Sequence, residues 1–161
     1  MICYHGSDTI VDMPRILEAK RPLDFGDGFY LTTSETQAKK WAIKVAYRNN
    51  SNYRCVNRYE FDFENAKSEL KVICFEVADE RWLDFICDNR SGKSTGEYDV
   101  VIGPVADDRV YRVVVEYENG DLDKETALKN LKTEALCNQI LLHTEKSLEY
   151  LKYIDTEVIG E

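Results

Sequence analysis

Hydrophobic and polar positions along this chain switch repeatedly between a period of two and a period near 3.6, and neither pattern runs long. The opening "ICYH" alternates Ile2 and Tyr4 against Cys3 and His5 and predicts a first strand. A glycine-rich turn in "FGDGFYLTT" leads into a second short strand. Ser34 to Gln37 then has the form of a capping box, and Ala38, Trp41, Ala42 and Val45 follow at helical spacing. In the middle, "RYEFDF" alternates Tyr59, Phe61 and Phe63 with polar residues, and the more continuously apolar "LKVICFEV" predicts a central strand.

The second half continues the mixture. Asp79 caps a predicted helix with Trp82, Phe85 and Ile86 on one face. "YDVVIG" reads as a strand closed by Gly103-Pro104, "ADDRVYRVVVEYENG" as a helix despite its valines, and "LDKETALKNLKTEAL" as a helix with Asp123 as cap. "NQILLHT" predicts a late strand, and "TEKSLEYLKYI" a closing helix capped by Thr144. Trp41 and Trp82 are assigned to core packing. Strands and helices are intermixed without regular alternation, which points to an α+β domain with antiparallel pairing.

Composition narrows this to one domain over residues 1–161, since 161 residues with 43% hydrophobic content and 18 aromatics support one core. No apolar run approaches the roughly 20 residues a membrane helix needs, and the first residues lack a signal-peptide pattern. The expected setting is cytoplasmic. The five cysteines are scattered and no Cys/His cluster has metal-ligand spacing, so reduced thiols and no metal site are expected. The net charge of −9 repels a phosphate backbone, which disfavours stable nucleic-acid binding while leaving room for a local basic groove.

Familiar catalytic motifs are weak. "SGKST" at Ser91 to Thr95 lacks the glycine a phosphate-binding loop requires, because Cys87 stands in its place. Asp107 and Asp108 at a predicted helix start read as a cap and a dipole-compensating charge rather than an acid–base pair. His5 and His143 lie near opposite ends, and no nucleophile elbow is present.

Taken in order, "YHGS", "DFGDGFYLTTSETQAKKWA", "YDVVIGPVADDRVY" and "NQILLHT" resemble a bacterial family of unknown-function domains. That family is grouped with the ADP-ribosyltransferases of the His-Tyr-Glu type, the diphtheria-toxin and poly(ADP-ribose)-polymerase side of the superfamily. The resemblance implies two small antiparallel sheets that form an NAD cleft, with flanking helices. It implies that His5 bonds the adenosine ribose, that the Gly6 backbone and Ser7 hold the nicotinamide amide, and that Tyr30 stacks on the nicotinamide ring. Gly28 joins the cofactor-binding set.

At the third catalytic position, where the family carries Glu, this chain has Gln139. An amide orients a ribose by hydrogen bonding but carries no negative charge. Glu134 is a candidate for supplying a carboxylate, and His143, in phase with Gln139 and Leu141, for acceptor-side contact. The implied activity is transfer of ADP-ribose from NAD to a macromolecular acceptor, expected to be protein, in a toxin, effector or defence setting where a neutralising partner protein would fit. The alternatives are an NAD glycohydrolase and an inactive binding module on the same fold.

Overall fold

In the computed structural model, residues 1–18, 23–93, 96–105, 108–131 and 138–160 are described. Asp107, Glu134, Cys137 and the Ser94-Thr95 half of the "SGKST" stretch lie outside them. The strands are β1 (Ile2–Ser7), β2 (Phe29–Thr32), β3 (Cys55–Phe61), β4 (Val72–Cys74), β5 (Val100–Pro104), β6 (Asn138–Leu142) and β7 (Leu151–Val158). The helices are α1 (Glu35–Asn49), α2 (Phe63–Glu69), α3 (Glu80–Arg90), α4 (Asp108–Glu118), α5 (Lys124–Leu131) and α6 (Glu145–Leu148). The α+β class holds, but the described strands make one sheet, in the order β4-β5-β6-β2-β1-β3-β7, rather than two. Among the described strands, only β4 and β5 run parallel. The two halves of the sheet are joined at β1/β2 through a single pair, Tyr4 opposite Thr32.

Alternation along the strands divides the core between the two sheet faces. Val101 and Leu141 pack with Phe25, Trp82, Leu83, Ile86, Val110 and Val114 under α3 and α4. Their neighbours Val100, Ile140 and Leu142 turn the other way, to Cys3, Phe29, Leu31, Tyr59 and Phe61. Trp82 is fully buried as expected, and its indole N–H donates to the Pro104 carbonyl at 3.0 Å. Asp79 caps α3 and Asp123 caps α5 through backbone N–H groups of Trp82 and Thr126. Ser34 caps α1, but Gln37 does not reach back to it; its Oε1 accepts from the Thr32 hydroxyl at 2.5 Å.

Several expectations are corrected by tertiary contacts. Trp41 is 44% exposed, because α1 presents only Ala38, Ala42 and Ala46 to β1, at a distance too close for an indole. "LKVICFEV" supplies a three-residue edge strand, not a central one. Between β3 and β4 the chain forms α2, capped by Asp62. The predicted closing helix lasts one turn, α6, after which Leu151–Val158 pairs along β3 as β7, with Tyr153 against Tyr59 at 5.8 Å. Long-range pairing outweighs a weak local helical preference there.

Candidate functional site

The register of the strands identifies where the sheet opens. In antiparallel pairs, residues alternate in the direction of their main-chain groups. The Phe61 N–H donates to the Met1 carbonyl at 2.8 Å, which sets the phase of β1: Cys3, His5 and Ser7 direct their main-chain groups to β3, and Tyr4 and Gly6 toward β2. On β2, the Thr33 N–H bonds the Asn138 carbonyl at 3.3 Å, so Thr32 and Tyr30 turn their groups toward β1. Continuing from Tyr4 and Thr32, the next ladder pair would join Gly6 to Tyr30, and the described register has none there. Instead the His5 ring reaches across and its Nδ1–H donates to the Tyr30 carbonyl at 2.7 Å.

The side chains sort about this seam. Tyr4 and Thr32 pair directly, Thr32 lies opposite Gln139, and Tyr30 opposite Leu141, so Gly6, Tyr30, Thr32 and Gln139 share one sheet face. His5 belongs to the other face, where its ring stacks on Phe29 at 4.5 Å between centroids. Of His5, Tyr30 and Gln139, the first two are joined by the ring-to-carbonyl bond, while Gln139 shares the Tyr30 face one strand away and His5 lies on the other. Burial lowers the His5 pKa by removing the hydration of the charged form, partly offset by the bond to the Tyr30 carbonyl.

Two glycines set the local backbone. A Cβ at Gly6 would lie 2.1 Å from the Ala38 carbonyl oxygen, so its missing side chain admits α1. That answers a packing need on one side, while the main-chain groups of Gly6 still face the seam. Gly28 has φ +149°, and a Cβ there would fall 2.4 Å from the Leu142 carbonyl oxygen, where the turn crosses the end of β6. Tyr30 holds this turn: its hydroxyl donates to the Gly26 carbonyl at 2.6 Å and accepts from the Phe25 N–H at 3.2 Å. Burial raises its pKa far above the ordinary phenol value. Tyr30 is thus tied through its hydroxyl, with its half-buried ring packed against the core under α3 and α4.

Gln139 is 7% exposed, and its Nε2 has no hydrogen-bond partner among the described residues. Ser7 is fully engaged, donating to the Thr9 carbonyl at 2.5 Å and accepting from the Asn57 amide at 3.1 Å. His143 stands apart from the seam, beyond β6, with its Nδ1–H donating to the Asp27 carbonyl and its ring 5.1 Å from Tyr98.

Two residues near the seam were not read as functional from sequence. Asn57 is fully buried and works as a hub: its amide donates to the Ser7 hydroxyl and the Thr9 carbonyl, and its oxygen accepts from the Val11 N–H and the Thr156 hydroxyl. It pins the segment leaving β1 over β3. Its signal was an amide in the apolar phase of Cys55, Tyr59 and Phe61. Trp41 is the second. Lys39 reaches Glu157 on β7 and Gln37 accepts from Thr32 on β2, so opposite flanks of α1 look toward β7 and β2. Trp41 follows Gln37 by one turn and shares the β2 flank beside the seam.

The family-wide sequence pattern described as protein of unknown function (DUF3990) matches residues 1–153. The chain belongs to this family. No curated protein and no solved structure matches it. Two grooves of this DUF3990 chain lie away from the seam. One of about 980 Å³ is lined by Glu60, Asp62, Glu64 and Tyr150 among others, and one of about 410 Å³ by Lys71, Tyr98 and His143. No group of His, Cys, Asp or Glu among the described residues could hold a metal ion, and no helix among them is long and apolar enough to cross a membrane.

Proposed function

We infer that this chain is an NAD-dependent ADP-ribosyltransferase whose substrate binds where β1 and β2 part. The observation that carries the reading is the Gln139 carboxamide. It is a buried donor with no acceptor among the described residues, on the sheet face it shares with Gly6, Tyr30 and Thr32. An unmet buried donor costs about 1–3 kcal/mol, and a bound molecule that supplies the acceptor recovers that cost.

The chemistry of the seam fits the parts of NAD. The main-chain groups of Gly6 and Tyr30 that face the gap offer both donors and an acceptor, the pairing a carboxamide requires. With its Nδ1–H given to Tyr30, His5 keeps Nε2 as an acceptor for a ribose hydroxyl. The Tyr30 ring is half-buried and packs against the core under α3 and α4, and the exposed Trp41 indole, with the Arg48 guanidinium 5.4 Å from its ring, offers its other face to an aromatic ring. Ser7, its hydroxyl already bonded, steadies the end of β1. Gln139 would orient the nicotinamide ribose.

In the reaction the bond between the nicotinamide nitrogen and the ribose anomeric carbon breaks with its electron pair going to nicotinamide. An acceptor nucleophile then bonds that carbon and loses its proton. Gln139 stabilises the positive centre less than a carboxylate would. A macromolecular acceptor and a role as toxin, effector or defence protein follow from the resemblance.

The absence of a carboxylate at position 139 favours a second reading, a binding module without turnover. Incubation with NAD and a cell lysate separates the readings. ADP-ribose adducts detected by mass spectrometry support the transferase, and free nicotinamide without adducts supports a glycohydrolase. If neither forms and NAD does not raise the melting temperature, the site reading fails; NAD at about 100 times its Kd should add about 2.7 kcal/mol.

A further inference from the structure

Gln37 stands where a capping-box glutamine would, three residues after the cap Ser34, yet its head group is used elsewhere. Its main-chain N–H bonds the Ser34 hydroxyl at 3.3 Å, as that position in the first turn requires. The Ser34 N–H, to which the carboxamide would reach back in a capping box, is instead taken by the Thr32 hydroxyl at 3.1 Å. With its oxygen accepting there, Thr32 gives its proton to Gln37 Oε1 at 2.5 Å, the Asn138 carbonyl lying farther off at 3.1 Å. That bond fixes which way round the amide stands: Oε1 is turned to Thr32, and the two N–H donors of Nε2 are left for another acceptor. They have none among the described residues, and Gln37 is half-buried.

Thr32 lies directly opposite Gln139 on β6, and its main-chain groups turn toward β1, so this pair is not joined by main-chain bonds. Cross-strand partners have Cβ atoms about 4.5–5.5 Å apart. Two carboxamides therefore flank Thr32, each with an Nε2 lacking an acceptor among the described residues. Neither carries charge. Lys39, two residues on, is held by Glu35 at 2.7 Å and Glu157 at 3.0 Å on the opposite flank of α1. A phosphate group is best met by cations, whereas adjacent hydroxyl oxygens need only neutral donors.

We propose that Gln37 is a second substrate-binding residue: its amide and that of Gln139 hold the two adjacent hydroxyls of the nicotinamide ribose, one each, with Thr32 between them. The proposal rests on the reading of the seam as an NAD site and adds to it a residue and a selectivity. A sugar lacking either hydroxyl leaves one amide donor unpaired, so the site selects a complete ribose on the nicotinamide side.

The test uses carbocyclic NAD, in which a methylene replaces the ring oxygen of the nicotinamide ribose and the bond to nicotinamide does not cleave. Two analogues, each lacking one hydroxyl of that ring, are compared with it by titration calorimetry on the intact protein. For the parent, each missing hydroxyl should weaken binding by about 5-fold. Gln37→Met keeps the length and helix preference of the side chain but offers no N–H. It should bind the complete ligand about 5-fold more weakly, and lose its discrimination against one analogue while keeping it against the other, because losses at the two ends of one bond are not additive. Gln37→Asn, which withdraws the amide by one methylene, should give the same pattern and serves if Gln37→Met does not fold. A folded variant that discriminates against both analogues as the parent does, or a parent indifferent to either hydroxyl, would overturn the proposal while NAD binding stands. A parent that does not bind the carbocycle at all would overturn it together with the NAD reading.

Discussion

The imidazole of His5 bonds the carbonyl of Tyr30 at the point where the ladder between β1 and β2 would otherwise continue through Gly6. A side chain thus takes the acceptor that a backbone N–H would have used. The substitution leaves main-chain groups facing a gap inside an otherwise continuous sheet, and it gives His5 a structural duty beside any contact with a ligand.

That duty makes stability pH-dependent. The His5 pKa is lowered on folding, so the unfolded chain binds the proton more readily. The contribution is fully present above the ordinary imidazole value near about pH 6.5 and is lost as pH falls through it toward the folded value. Melting temperatures between pH 7.5 and 5 should fall more steeply for the parent than for His5→Gln. Equal slopes would show that protonation of His5 is not coupled to folding.

Tyr30→Phe should cost about 1–3 kcal/mol, because the Gly26 carbonyl and the Phe25 N–H both lose the hydroxyl while the ring stays in place. Denaturant midpoints measure this directly. If the ring is the ligand wall, the stabilisation by NAD should survive in this variant and disappear in Tyr30→Leu.

Gln139→Leu should raise stability by about 1 kcal/mol or more, since it removes, at nearly constant volume, a buried donor with no partner among the described residues. The same variant should lose nicotinamide release. Gln139→Glu, if folded, should keep or increase it. A stabilised Gln139→Leu protein with undiminished turnover would remove Gln139 from the site.

Gly6→Ala should destabilise by about 3 kcal/mol or more, because the added methyl meets the backbone of α1 rather than a movable side chain. Asn57→Ala should cost a comparable amount, by leaving the Val11 N–H and the Thr156 hydroxyl without their shared acceptor. Trp41→Ala, on an exposed flank, should change stability little while reducing the response to NAD. Thermal unfolding with and without NAD distinguishes the three.

Local signals determined much of this protein by themselves. Ser34, Asp79 and Asp123 cap helices where their side chains suggest, because a cap needs only a backbone a few residues away. The alternation of Ile140, Leu141 and Leu142 assigns each to a face, since period two is a property of the strand alone. Trp82 is core because it shares the apolar side of its helix with Leu83 and Ile86. Tertiary structure decided the rest, and in each case the deciding partner is far away in the chain. Leu151–Val158 is a strand because β3, about ninety residues earlier, offers an edge. Trp41 is exposed because Gly6 draws α1 in by its alanines. Whether the halves of the sheet form one layer or two depended on the single pair between Tyr4 and Thr32, and periodicity within a strand reports which face is buried but not which neighbour lies alongside or where the pairing stops.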